Sequence, residues 1–139
     1  MTRLTRRSFL ALLGLAGAGG GAAAARFLLD GDGAPKWSGA AGTAAALFED
    51  PEAARRLGEA YLRVHGAENN RGRLVRLLSR SEREWRRALQ DQDPAALRVL
   101  AGRRAAQELA AGELVEVDGW WVAPTEARLC ALLAAKEAA

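Results

Sequence analysis

A chain of 139 residues has room for one domain, and its abundance of Ala, Leu, Arg and Gly with only 6% aromatic residues favours helices over a sandwich or barrel. The net charge of +3 suggests a polyanionic partner until it is located: beyond Arg3, Arg6 and Arg7, seventeen basic residues face seventeen acidic ones, so the body of the chain is neutral and has no global field to draw nucleic acid. The single cysteine, Cys130, excludes an internal disulfide and any multi-cysteine metal or iron–sulfur motif.

Residues 1–25 fall into three zones. Arg3, Arg6 and Arg7 form a positive start, Phe9 and the Leu, Gly and Ala run behind it form a modestly apolar core, and Ala23, Ala24 and Ala25 are the small residues a signal peptidase accepts. The stretch Thr5-Arg6-Arg7-Ser8-Phe9-Leu10 resembles the twin-arginine export consensus position by position, which marks Arg6, Arg7, Phe9 and Leu10 as export-signal residues. The resemblance implies that the twin-arginine translocase is a partner and that the chain travels already folded to the periplasm or cell envelope. It also implies that the cargo either holds a cofactor or travels beside a protein that does. Cleavage is expected near Ala25. Left uncleaved, the segment would act as a marginal membrane anchor, because its Leu and Phe are diluted and Arg26 interrupts before Phe27, Leu28 and Leu29.

Residues 26–48 are rich in Gly and Ala, with Pro35 and Trp37, and read as a flexible linker into a helical domain over 49–139. Asp50-Pro51-Glu52 starts the first helix: the Asp side chain caps free N–H groups, and Pro at the first position loses no hydrogen bond. Ala54, Leu57, Tyr61 and Val64 follow at helical spacing, Glu52–Arg56 and Glu59–Arg63 pair four apart, and Gly66 ends the helix. A second helix is predicted from about Arg71 to Gln90, with Leu74, Leu77, Leu78, Ser81, Trp85 and Leu89 on one face. Asp93-Pro94 starts a third, which carries Leu97, Leu100, Ala101, Ala105 and Leu109 and stops at Gly112.

Residues 113–122 read as a β-hairpin around the two-residue turn Asp118-Gly119. That register sets Val117 opposite Trp120 and Val115 opposite Val122 on one face, and Glu116 and Trp121 on the other. A lone hairpin is barely stable, so its apolar face must lie on the helices. Pro124-Thr125-Glu126 opens a last helix, apolar on most sides and therefore buried. The expected fold is mainly α: a small bundle of about four helices with one β-hairpin before the last helix. Three helices and a hairpin also suit winged-helix DNA readers, but the neutral body and the export signal argue against that. The stretch from Val117 to Leu132, with its Asp-Gly-Trp-Trp and Thr-Glu-Ala-Arg-Leu-Cys-Ala-Leu segments, is similar to the ending of small exported twin-arginine-signal proteins of uncharacterised function. That resemblance covers this stretch and the signal, and it implies a module without implying an activity.

No catalytic, cofactor or metal site is legible. His65 ends the first helix, where its cationic form complements the dipole, and Cys130 lies in the most apolar helix as a small buried hydrophobe. Asp118 and Glu126 could be paired as acid and base, but a turn residue and a first-turn helix residue explain them. Two features stand out. Arg73, Arg76, Arg80, Arg83 and Arg87, spaced three and four apart, would form a basic stripe along one helix, suited to an acidic protein or anionic headgroups. Trp121 would point away from the hairpin's packed face, as interface anchors do. The reading is an exported non-enzymatic interaction protein, an accessory subunit or escort of a larger exported protein such as a redox enzyme. The alternative is a small envelope enzyme, which a concave pocket with converging polar groups would favour.

Overall fold

The computed structural model describes residues 37–80 and 82–137. The export residues Arg6, Arg7, Phe9 and Leu10, the rest of segment 1–25, and residues 26–36 of the expected linker lie outside the described residues. Six helices and one hairpin follow in order: α1 (Ser38–Ala45), α2 (Pro51–Val64), α3 (Arg71–Ser79), α4 (Arg83–Gln90), α5 (Pro94–Ala111), β1 (Val115–Val117), β2 (Trp120–Val122) and α6 (Pro124–Ala134). A 3-10 turn, Gly66–Glu68, joins α2 to α3. The protein is therefore mainly helical, with a two-stranded antiparallel hairpin before its last helix.

The most apolar helix becomes the centre. On α6, Ala127, Leu129, Cys130, Ala131 and Leu132 are buried, and α1, α2, α3, α5 and β1 all pack against it. Its most extensive neighbour is α2. Gly58 lets the two backbones approach: a Cβ there would stand 2.1 Å from the Cys130 carbonyl oxygen. Only a residue without a side chain permits that approach.

The helix starts follow their capping chemistry. Asp50 accepts from the Ala53 N–H at 3.0 Å and Asp93 from the Ala96 N–H at 3.0 Å, each with Pro next in sequence. Asn70 caps α3 through the Arg73 N–H in the same way. Gly112, with φ of 73°, ends α5 in the left-handed conformation, and the Glu113 N–H reaches back to the Glu108 carbonyl at 2.9 Å. On the wet face of α2 the ion pairs differ from expectation, because Arg55 serves both Glu52 and Glu59.

Two expectations are corrected. Residues 37–48 belong to the domain and not to a flexible linker. They form α1 and its exit, and Ala40, Ala44, Leu47 and Phe48 enter the core while Trp37 packs against it. Small residues at 40 and 44 let α1 lie against α6, and Leu47 and Phe48 anchor its end.

The predicted helix over 71–90 is two helices. It breaks at Arg80, which adopts a left-handed φ of 40°. Ser79 Oγ donates to the Val75 carbonyl at 2.7 Å, a bond that competes with helix continuation. The Arg104 guanidinium, arriving from α5, donates to the Leu78 carbonyl and to the Glu82 carboxylate and lies over the Trp85 ring at 4.0 Å. The carbonyl that the next turn would have used is thus held by a side chain from another helix.

Candidate functional site

The hairpin forms in the expected register, Val115 opposite Val122, Glu116 opposite Trp121 and Val117 opposite Trp120. Asp118 and Gly119 both take positive φ, 49° and 81°, as a tight turn of this hand requires. Val117 and Val122 are buried, β1 packs against α2 and α6, and Arg63 on α2 meets the Asp118 carboxylate at 3.3 Å. The other face carries Trp121, 61% exposed and the most exposed aromatic side chain among the described residues. Leu114, just before β1, and Trp120, next to Trp121 in sequence but on the opposite face, are also exposed, so the hairpin and its approach carry apolar surface that folding does not use.

The five stripe arginines are not on one helix. Arg73 and Arg76 lie on α3, Arg80 is the left-handed residue at its end, and Arg83 and Arg87 lie on α4. All five are exposed. The structure brings Arg83 and Arg87 together with Arg103 of α5, a residue outside the predicted stripe. These three line a groove of about 590 Å³ between α4 and α5, whose floor is Ala88, Ala96 and Leu100. Glu84, Asp91, Asp93 and Val99 complete its walls. Trp121 belongs to a different part of the molecule, since its hairpin packs on α2 and α6.

Buried polar groups gather in two places. At the start of α6, Glu126 is 0% exposed and accepts from the Ala123 N–H at 3.2 Å, while its other oxygen has no partner. Burial, and then the charge of Glu108, push its carboxyl up to about 7. Glu108, from α5, accepts from the Thr125 N–H at 3.0 Å and from Thr125 Oγ1 at 2.8 Å. Between them the two carboxylates bind backbone N–H groups at the opening of α6, where the helix presents unpaired donors and positive potential. Asp118, on the exposed turn, is paired with Arg63 and not with Glu126.

The second place joins the 3-10 turn to the bundle. Tyr61 donates to Glu68 at 2.8 Å, and Arg128 donates twice to the same carboxylate at 3.2 Å. Burial, and then the Glu68 hydrogen bond, push the Tyr61 hydroxyl up to about 12. Burial alone would raise Glu68, but the hydrogen bonds from Arg128 and Tyr61 hold it below its ordinary value. His65 stacks on Tyr61 with ring centroids 4.2 Å apart, at the C-terminal cap of α2. Burial pushes the Cys130 thiol up, away from the thiolate form a nucleophile needs. Among the described residues, no group of three or more His, Cys, Asp or Glu is placed to hold a metal ion. Nor, among these residues, is any helix long and apolar enough to cross a membrane.

Reasoning from sequence did not find Glu108, Arg103 or Arg104. Glu108 and Arg104 act on elements distant in the chain, Arg103 lines a groove with α4, and no local spacing marks any of them. No family model matches the chain, and comparison with curated proteins and with solved structures finds no match.

Proposed function

We propose that this is an exported interaction module, an accessory subunit or escort of a larger exported protein, and that the outer face of its hairpin is where the larger protein docks. The observation that carries the reading is Trp121: a rigid, large aromatic side chain left 61% exposed by a hairpin whose opposite face is packed. An aromatic of this kind contributes large apolar contact area at a low cost in side-chain entropy, which is why Trp is enriched among the residues that dominate binding. Leu114, just before β1, adds exposed apolar surface. The export route is proposed from the match at Thr5–Leu10, with the twin-arginine translocase as the first partner and the periplasm or envelope as destination. Arg73 and Arg76 on α3 retain a supporting role as exposed cations that raise the rate of encounter with an acidic partner.

The test compares affinity-tagged wild type and Trp121→Ala recovered from the exported fraction. The variant is expected to melt as the wild type does, since the ring is solvated, and to lose the co-purifying protein by about tenfold or more, in line with removal of a central anchor. Retention of every co-purifying protein by a folded Trp121→Ala variant would remove the hairpin face from the account.

A further inference from the structure

We infer that the outer face of the hairpin takes an arginine of the protein that docks there, its guanidinium laid on the Trp121 ring and paired with the Glu116 carboxylate; the inference rests on the reading of that face as the docking surface. Glu116 stands directly across from Trp121. In a hairpin with a two-residue turn the pair flanking the turn exchanges hydrogen bonds. The next pair out, Glu116 and Trp121, is therefore of the closer kind, with Cα atoms about 4.5 Å apart and side chains adjacent on one face. Both are exposed. Among the described residues, Glu116 has no ion-pair partner and no cation lies over the Trp121 ring. Residues 113–122 carry three acids, Glu113, Glu116 and Asp118, and no base. The base that reaches the hairpin, Arg63, is taken up by Asp118 at the turn.

The molecule completes such an arrangement once within its own bundle. Arg104 lies over the Trp85 ring at 4.0 Å and donates to the Glu82 carboxylate at 2.9 Å, so one guanidinium serves an aromatic face and an acid together. Stacking on a ring while donating to a carboxylate suits the planar fork of arginine better than a compact ammonium. Among the described residues, the hairpin holds the ring and the acid of that trio without the cation. Any protein that covers Trp121 also covers Glu116 and takes water from it. An apolar surface would leave the carboxylate buried and unpaired, and an acidic one would add repulsion. A cation set between ring and acid turns the same desolvation into attraction. The charge involved is local to the hairpin and separate from the exposed cations of α3.

The test uses the full chain, affinity-tagged and recovered from the exported fraction, and takes as its probe the co-purifying protein that Trp121→Ala loses. Glu116→Gln keeps the shape of the side chain and removes its charge, and Glu116→Arg reverses the charge. Circular dichroism melts are the folding control, and both variants are expected to melt as wild type does because the side chain is exposed. Recovery of the probe protein is expected to fall about threefold or more with Glu116→Gln and about tenfold or more with Glu116→Arg. A photo-crosslinking amino acid in place of Leu114 then locates the stretch of the docking protein in contact, and its arginines are changed to Glu one at a time. One of these changes is expected to abolish binding to wild type and to restore binding to Glu116→Arg. Loss of the probe protein with Trp121→Ala but full retention by folded Glu116→Gln and Glu116→Arg overturns the inference and leaves the docking face standing. So does the lack of any arginine whose reversal Glu116→Arg rescues. Retention of every co-purifying protein by Trp121→Ala removes both.

Discussion

Glu126 shows how one side chain can sit where its type predicts and still behave unexpectedly. Its place in the first turn of a helix is what an acidic residue favours, and Thr125-Glu126 after Pro124 makes that legible. Its complete burial was not legible, because Glu108 reaches the same helix end from α5 and closes the site. A carboxyl raised to about 7 in the fold, against 4.5 when free, has a defined consequence for stability. Below the unfolded value both states are protonated and nothing is lost. Between the two values only the unfolded state ionises, so stability falls as pH rises through that window and levels off above it, by on the order of 3 kcal/mol from this group. Glu126→Gln keeps an oxygen to accept the Ala123 N–H and removes the charge. Denaturant titrations at about pH 5 and about pH 8 are expected to show a smaller pH difference in the variant than in wild type, through this same linkage. An unchanged difference would mean that Glu126 is not the group that titrates.

Helix starts and the hairpin turn were readable because each is decided within four or five residues: Asp-Pro for α2 and α5, Asp-Gly for the turn. The break between α3 and α4 was not, because Arg104, more than twenty positions along the chain, supplies the donor that ends α3. Helix α1 did leave a signal. Ala40, Ala44, Leu47 and Phe48 are spaced as one helical face, but the surrounding Gly and Ala read as linker. Two substitutions test the element contacts. Gly58→Ala puts a Cβ into the Cys130 carbonyl and must push α2 off α6, so a loss of about 3 kcal/mol is expected by chemical denaturation, the upper end for overpacking against backbone. A melt equal to wild type would show that the helices are farther apart than described. A Cβ at position 119 meets no neighbour within 4 Å, so the cost of Gly119→Val is chiefly conformational. A β-branched residue at φ of 81° is expected to destabilise by about 1–3 kcal/mol. Stability unchanged by Gly119→Val would remove the turn from the account.

At the scale of the whole molecule, the proposed export signal and the folded domain can be tested apart. Arg6→Lys with Arg7→Lys is expected to hold the protein in the cytoplasm with its fold unaltered, because Lys does not reproduce the planar guanidinium pair the route recognises. Fractionation showing normal export of that double variant through the twin-arginine translocase would refute the assignment. The mainly helical fold was readable from composition and periodicity. The outward placement of Trp121 depended on one register, and that register followed from two turn residues. What the face binds has no local signature, since a partner's chemistry is not written in the spacing of the residues that meet it. The most direct measurement is therefore made in the cell, with a photo-crosslinking amino acid in place of Trp121 and, as a control, in place of the exposed Arg56 on α2. The account predicts one discrete adduct with a larger protein in the exported fraction from position 121 and none from position 56. No adduct at 121, or the same adducts from both positions, would contradict it.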